Sequence, residues 1–217
     1  MNHGLSVIIP VRDDATRLTR AIRSVLDGAE DLHEIVVVDD GSRDGSAEAA
    51  RSFGAPVIVH QRPPLGEAAA RNFGVETAAC DLIAFNDSDD VWAVPRPDPR
   101  RAALAGAPDA IVLGRTVVED EDGRGRSEPF LLYQFSAALI PRAAFERAGP
   151  VPEGFRIGCD TAWFLAARDA GVRLLTVPDV VFRYRMRPGS MYTSGPPGEG
   201  LLNALNHAIR RRRESTA

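Results

Sequence analysis

Three carboxylates stand close together between residues 85 and 92. Asp87, Asp89 and Asp90 directly follow the apolar run 82–85, which is typical of a buried strand. Carboxylates this close repel one another and resist ionisation unless a positive partner holds them charged. A divalent cation that also binds a diphosphate is such a partner, and a solvated acidic turn is the simpler alternative. Both hypotheses remain open on this stretch alone.

Two further acidic pairs follow apolar runs in the first half of the chain. The pair at 13–14 comes after the run 5–11, and the pair at 39–40 comes after the run 34–38. The carboxyl ends of parallel strands meet at one edge of a sheet, and ligands of open α/β sheets bind at that edge. All three acidic groups are therefore expected to lie together at a ligand-binding edge.

The elements that must position these acids alternate between strand and helix. A helix stopping near Gly28, a short helix ending near Gly54 and a helix starting near Gly66 separate predicted strands at 5–11, 34–38, 57–60 and 82–85. Parallel neighbours need crossover connections, which are almost always right-handed helices. The alternation therefore predicts an α/β fold with a mostly parallel sheet.

The second half of the chain predicts a mixed rather than a parallel arrangement. We expect a short helix at 101–104, a strand from 110, a hairpin tip at 119–123, a long strand at 130–140, a helix from Pro141 to Phe145, a helix capped by Asp160, and strands at 173–177 and 180–184. No linker long enough to separate domains occurs. A length of 217 residues fits a single domain.

Composition limits the classes of function. The net charge of -4 argues against a nucleic-acid partner, and no apolar run approaches the roughly 18 residues of a membrane span. All 26 basic residues are arginine, so phosphate must be held by guanidinium groups, and lysine chemistry is excluded. Cys80 and Cys159 lack metal-ligand spacing, which favours two buried thiols in a reducing cytoplasm.

The common phosphate-binding motifs are absent. Neither G-x-G-x-x-G after the first strand nor a P-loop occurs, which disfavours dehydrogenases and P-loop enzymes. A metal on Asp89, with Arg71 or the alternating series Arg183, Arg185 and Arg187, would neutralise a diphosphate instead. The competing interpretation of the arginine series is a solvated edge strand whose charges prevent aggregation.

Four segments in order resemble family 2 glycosyltransferases of the GT-A fold: 7–10, 36–42, 70–72 and 87–92. The resemblance is nearly continuous to about residue 95 and looser afterwards. It implies a three-layer α/β/α domain with a mostly parallel, Rossmann-like sheet and a mixed half. Within a single domain of residues 1–217, it implies a nucleotide-sugar-binding half at 1–95, an acceptor half at 96–195 and a basic C-terminal helix or tail at 196–217.

The resemblance also implies roles for particular residues. A UDP-, GDP- or TDP-sugar would lie across the parallel edge, with its nucleobase near Pro10 and Asp40 and its ribose facing Asp87. Asp89 would ligate Mn²⁺ or Mg²⁺, and Asp160 would be the general base of an inverting transfer. The residues that it places around the donor are Pro10, Val11, Arg12, Asp39, Asp40, Gly41, Arg71, Asp87, Ser88, Arg185 and Arg187.

Two positions depart from the family pattern. Cys159 stands where the family often has an acid before the base, and Arg187 replaces a histidine that could ligate a metal. The first departure keeps open an alternative function, a nucleotide-sugar-binding domain without catalysis. The acceptor is expected to offer a hydroxyl and could belong to a glycan, a lipid-linked intermediate, a peptide or a small molecule.

The C-terminal residues carry an apolar pattern at helical spacing before four consecutive arginines at 210–213. One interpretation is a helix that packs on the domain and ends in a solvated basic segment. The other is weak association of residues 200–213 with an anionic membrane surface, which would place a cytoplasmic protein at the inner face of the membrane.

Overall fold

The structure, a computed structural model, describes residues 4–120, 124, 127–155 and 157–185. The predictions for Arg187 and for the basic tail at 196–217 lie outside these residues. The first half alternates as predicted: β1 Leu5–Val11, α1 Ala15–Gly28, β2 Leu32–Asp39, α2 Ser46–Arg51, β3 Val57–Gln61, α3 Glu67–Thr77 and β4 Leu82–Phe85.

The second half supplies shorter and less regular elements. They are α4 Pro99–Ala105, β5 Ile111–Glu119, a 3-10 turn at Phe135–Ala137, β6 Ala138–Pro141, α5 Arg142–Ala148, α6 Cys159–Asp169 and β7 Leu174–Arg185. Of the helices in the described part of the chain, none has the length and apolar composition needed to span a bilayer.

The strands form one sheet in the order β3-β2-β1-β4-β6-β5-β7. Neighbours from β3 to β4 pair in parallel, as do β5 and β7, whereas β6 runs antiparallel to both β4 and β5. The predicted α/β class, with a mostly parallel sheet and a mixed second half, is confirmed.

Helices cover both faces of the sheet, so the central strands are buried on two sides. In β1, Val7 and Ile9 belong to the core beneath α1 and α4, whereas Ile8 belongs to the core beneath α3, α5 and α6. All seven residues of β1 are buried. This two-sided burial explains why the parallel strands have continuous apolar sequences instead of an alternating pattern.

The predicted long strand at 130–140 is wrong. Phe130 forms an isolated bridge with Thr116, and regular pairing resumes only at Ala138, after the 3-10 turn. The intervening residues leave the sheet because Phe135 is drawn into the core, where its ring lies 4.8 Å from that of Phe85 and 5.0 Å from that of Trp163.

Three smaller predictions also need correction. The strands expected at 173–177 and 180–184 are one strand, β7, which continues through an irregular register opposite Arg115. Pro141 ends β6 and precedes α5, so it is not the first helical residue. Asp160 does not cap α6: Gly158 holds the N-cap position in the left-handed conformation, and Asp160 lies in the first turn.

Gly74 lets α3 lie close to β1. A Cβ at this position would collide with Cγ2 of Ile8, a fully buried side chain that cannot move aside easily. We expect Gly74→Ala to lower the free energy of unfolding by about 1–3 kcal/mol, measured by urea denaturation. Gly106→Ala is the matched control, because its nearest neighbour would be 3.8 Å away. Equal stability of the two variants would contradict this account.

Candidate active site

A cleft of about 670 Å³ opens at the carboxyl ends of β1, β2 and β4. Parallel order brings the loops after these strands to one edge, as the sequence predicted. The predicted site residues that line the cleft are Pro10, Val11, Arg12, Asp40, Arg71, Asp87, Ser88, Asp89 and Asp160. Asp39 and Gly41 are not among the lining residues.

The acids after β2 hold loops in place. Asp39 is fully buried, and its carboxylate accepts hydrogen bonds from the Ser42 N–H and the Gln61 side chain. Asp40 accepts the N–H groups of Leu65 and Gly66 at 2.8 and 2.9 Å. Asp40 therefore fixes the start of α3, the helix that carries Arg71.

The loops after β1 and β2 are tied to each other by carboxylates. Asp13 accepts the Arg43 N–H at 2.7 Å, and Asp44 accepts the Ala15 N–H at 2.8 Å. The pKa of Asp44 is lowered by its hydrogen bonds from the Ser46 side chain and from the backbone of Ala15. These bonds hold the loops after β1 and β2 together at the edge of the cleft near α1.

The stretch after β4 forms a tight turn. The Asp87 carbonyl accepts the Asp90 N–H at 3.0 Å, and the Arg20 guanidinium donates to the Asp89 carbonyl at 3.2 Å. The Ser88 hydroxyl donates to Asp14 at 3.4 Å. The turn places Asp87, Ser88 and Asp89 on the cleft wall, and Asp90 also lines the cleft although it is only 5% exposed.

The donor set suits a hard cation that is shared with a substrate. In the described residues, no cluster of three or more His, Cys, Asp or Glu side chains could hold a metal ion. Asp89 lines the cleft beside Ser88, so a carboxylate and a hydroxyl oxygen are available. Mg²⁺ and similar ions bind through one or two carboxylates together with substrate phosphates, and Asp89 fits that pattern.

Arg71 lies beneath the cleft with its side chain 3% exposed. Its Nη2 is 2.7 Å from Glu67 and 2.9 Å from Asp87, and its Nη1 is 3.6 Å from Asp160. Burial would lower the pKa of Arg71, but the charges of these three carboxylates outweigh burial and raise it. Arg71 thus joins carboxylates from α3, the turn after β4 and α6.

Glu67 is a site residue that the sequence analysis missed. The Arg71 charge lowers the pKa of Glu67, but partial desolvation and the charges of Asp87 and Asp160 outweigh that attraction and raise the pKa, although the side chain is 42% exposed. One guanidinium cannot neutralise three carboxylates. The available signal was the spacing of Glu67 and Arg71, which places both on one face of α3.

Asp160 is held by two donors. Its Oδ2 accepts the Phe135 N–H at 3.0 Å, and its Oδ1 accepts the Cys159 thiol at 3.2 Å. Its side chain is 25% exposed and lines the cleft. Each carboxylate oxygen has a second lone pair, so Asp160 can still accept a hydrogen bond from a bound hydroxyl.

The arginine series on β7 is only partly described. Arg183 pairs with the buried carboxylate of Glu119 on the neighbouring strand β5. This contact agrees with the edge-strand interpretation for Arg183 and leaves it outside the cleft lining. The side chain of Arg185 and all of Arg187 lie outside the described residues, so their predicted contacts with the donor stay predictions.

Comparison with known proteins decides the family. A model of Glycosyl transferase family 2 matches residues 6–164. The chain belongs to this family. Among curated relatives, glycosyltransferase AglE of Haloferax volcanii is 27% identical over 205 residues, which cover 85% of this chain and 67% of that protein. Glycosyltransferase GlyG of Streptococcus pneumoniae serotype 4 is 32% identical over 95 residues, 42% of this chain and 32% of that protein.

This family 2 chain therefore spans about two thirds of one of these relatives and about one third of the other. Among solved structures, S. aureus TarS 1–349 in complex with UDP-GlcNAc superposes with a TM-score of 0.74 at 18% identity, covering 94% of this chain and 65% of that chain. The complex of the same TarS fragment with UDP gives 0.73 at 16% identity. The fold of GT-A type is confirmed.

Several further residues of this family 2 chain line the cleft without having been predicted. They are Arg17, Gly66, Glu67, Ala70, Asp90, Tyr133, Gln134, Ile157, Gly158, Cys159, Thr161, Phe182 and Tyr184. Tyr133 and Gln134 belong to the segment that was predicted as strand. Phe182 and Tyr184 were assigned to a strand, and no pattern around them indicated that this strand borders the cleft.

Proposed function

We propose that this chain is a metal-dependent, inverting glycosyltransferase that moves a sugar from a nucleoside-diphosphate sugar to a hydroxyl acceptor. The observation that carries the proposal is the placement of Asp89 and Asp160 in the wall of one cleft, on opposite halves of the fold. A donor-side carboxylate and an acceptor-side carboxylate are the two groups that a single displacement needs.

Asp160 would take the proton from the attacking hydroxyl. The Phe135 N–H and the Cys159 thiol donate to its two oxygens, and the positively charged Arg71 guanidinium lies 3.6 Å from Oδ1. Because the hydroxyl attacks the face of the sugar opposite the departing diphosphate, one base is sufficient and the configuration inverts.

Asp87, Ser88 and Asp89 would bind the donor. Arg71 and the Ser136 hydroxyl hold the two oxygens of Asp87 at 2.9 and 3.2 Å, so this carboxylate has a fixed position for a ribose hydroxyl. When bound at Asp89, Mn²⁺ or Mg²⁺ would offset the negative charge that develops on the leaving diphosphate. The exposed Arg12 also lines the cleft and can bind phosphate oxygens.

The TarS complexes support UDP as the first nucleotide to test, with GDP and TDP as alternatives. The acceptor is proposed at the level of its hydroxyl group. Association of residues 200–213 with a membrane surface stays a prediction.

A nucleotide-sugar-binding domain without turnover is the second candidate. One observation favours it: both oxygens of Asp160 already have partners within the protein, and a guanidinium lies nearby. These contacts engage both oxygens of the carboxylate before any acceptor binds. The two candidates differ in whether the bound donor is consumed.

The metal requirement can be tested by the release of nucleotide from UDP-, GDP- and TDP-sugars, with and without Mn²⁺ or Mg²⁺. We expect release to depend on the cation, to stop with EDTA and to fall by about 10²-fold or more in Asp89→Asn. Loss of the carboxylate should remove the protein's ligand to the cation without disturbing the turn, because the backbone of Asp89 keeps its bond to Arg20.

Asp81→Asn is the matched control. Asp81 is an exposed acid just before the amino end of β4, which is the end away from the cleft. It should release nucleotide at the wild-type rate. Release that is unchanged by EDTA would reject metal dependence. Donor binding without release, for wild type and for Asp160→Asn alike, would support the binding domain.

A further inference from the structure

The thiol of Cys159 lies between Arg71 and Asp160. Arg71 Nη1 donates to the Cys159 sulfur at 3.8 Å, and the thiol donates to Asp160 Oδ1 at 3.2 Å. The direct distance from Arg71 Nη1 to Asp160 Oδ1 is 3.6 Å, which is too long for a hydrogen bond. The thiol therefore completes the connection between the guanidinium and the carboxylate.

We propose that Cys159 is a positioning residue for the transfer reaction, whose thiol orients the Asp160 carboxylate without adding a charge to the site. The inference rests on the proposed role of Asp160 as the base. It assigns a function to one of the two positions at which this chain departs from the family pattern.

The charges around Cys159 explain why a neutral donor is useful there. Arg71 already faces Glu67, Asp87 and Asp160. An acid at residue 159 would be a fourth carboxylate on the same guanidinium and would repel Asp160. A neutral thiol at the same position donates a hydrogen bond to Asp160 and adds no negative charge to the site.

The thiol is held in its protonated form. Burial raises the pKa of Cys159 well above its ordinary value, and the neighbouring charge of Asp160 raises it further, whereas Arg71 acts in the opposite direction. A thiolate would be an acceptor instead of a donor and could not bond to Asp160. The proton is therefore present at neutral pH.

The weakness of an S–H donor has a consequence for the base. Strong donors stabilise a carboxylate so well that it becomes a poor proton acceptor. The thiol, together with the Phe135 N–H on the other oxygen, fixes the plane of the Asp160 carboxylate. Because S–H is a weak donor, the thiol orients the carboxylate without the strong stabilisation that a charged donor would bring.

The first test measures the contact without any turnover. Full-length wild type and Asp160→Asn are treated with iodoacetamide at pH 8.5, and labelling of Cys159 and Cys80 is followed by peptide mass spectrometry. Removal of the negative charge should favour the thiolate, so the ratio of Cys159 to Cys80 labelling should rise about three- to tenfold. Cys80 is buried in the same molecule and reports any general opening of the fold.

An unchanged ratio would overturn the inference, whether or not the chain transfers sugar. An increased ratio in a chain that consumes no donor would support the contact and reject the proposed function alone. Asp169→Asn, an exposed acid at the end of the same helix, should leave the ratio as in wild type.

The second test measures the dependence of transfer on pH. In Cys159→Ala the Asp160 carboxylate loses a donor, so the acidic limb of the kcat/KM profile should move up by about half a pH unit and kcat should fall about tenfold. Donor affinity should stay unchanged. Cys159→Ser keeps a hydrogen for Asp160, so its kcat and its pH profile should lie close to those of wild type.

Cys80→Ala is the control for a purely structural effect, because it removes the other buried thiol near the amino end of β4. It should lower the thermal midpoint without moving the pH profile. A Cys159→Ala profile that matches wild type in position and kcat would overturn the positioning role.

Discussion

Asp160→Asn is expected to lower the rate of sugar transfer by about 10²–10⁴-fold, the usual contribution of a general base. Asn keeps the shape of the side chain and can still accept the Phe135 N–H, but it cannot take a proton at neutral pH. Donor affinity should change by less than about twofold, because Asp160 belongs to α6, whereas Asp89, the proposed metal ligand, belongs to the turn after β4. The measurements are kcat by nucleotide release and Kd by calorimetry.

The control for this variant is Asp169→Asn on the same helix, which removes an exposed acid outside the cleft lining. It should retain wild-type kcat and Kd. A variant Asp160→Asn that transfers sugar at the wild-type rate would remove Asp160 from the mechanism and direct the search to Glu67, which also lines the cleft and pairs with Arg71.

Arg71→Met is expected to lower the free energy of unfolding by about 3–5 kcal/mol at pH 8, since it leaves Glu67, Asp87 and Asp160 together without their shared cation. Nucleotide release should also stop, because Asp87 and Asp160 lose a common anchor. The stability is measured by urea denaturation.

The pH dependence of this loss has a definite sign. The pKa of Glu67 is already raised above its ordinary value of 4.5 by burial and by its acidic neighbours, against the pull of Arg71. A carboxyl group with a raised pKa in the folded state stabilises that state while protonated, and this contribution disappears as the pH rises through the folded pKa. The free energy of unfolding of Arg71→Met should therefore be closer to that of wild type near pH 4.5 than at pH 8.

Arg51→Met serves as the control, because Arg51 also pairs with a carboxylate on its own helix but is 47% exposed. Its loss should cost less than about 1 kcal/mol at either pH. A stability deficit of Arg71→Met that is equal at both pH values would contradict the account of a shared cation.

The first half of the fold could be predicted because its central strands β1, β2 and β4 are buried on both faces. Continuous apolar runs such as β1 and β2 have few alternative structures, and the glycines that end their helices are local signals. The second half contains segments such as 130–137, in which apolar residues enter the core from an irregular backbone. Periodicity does not distinguish that arrangement from a strand.

The acids at the sheet edge could be located from the sequence, but not sorted by role. Asp13, Asp39 and Asp44 resemble Asp89 in their position after a strand, yet they bind backbone N–H groups of neighbouring loops. The difference depends on which main-chain donors approach each carboxylate. That is a property of the assembled loops and leaves no pattern in the sequence.

The centre of the site was the least predictable part. Arg71 was expected to help neutralise a diphosphate, but two of its partners are carboxylates from the turn after β4 and from α6, far away in sequence. The Phe135 N–H that binds Asp160 is a backbone group, which any residue could supply. Such contacts arise only when the two halves of the sheet are brought together.

The antiparallel direction of β6 brings an irregular segment of the chain to one wall of the cleft. Because β6 opposes β4 and β5, the chain that enters it arrives at the cleft edge, while its register is fixed by the pairs from Leu82–Pro141 to Ala84–Leu139. We expect changes in the length of the chain between β5 and residue 134 to alter this wall of the cleft more than the sheet. Such changes would act on the proposed acceptor side and leave the proposed donor side intact.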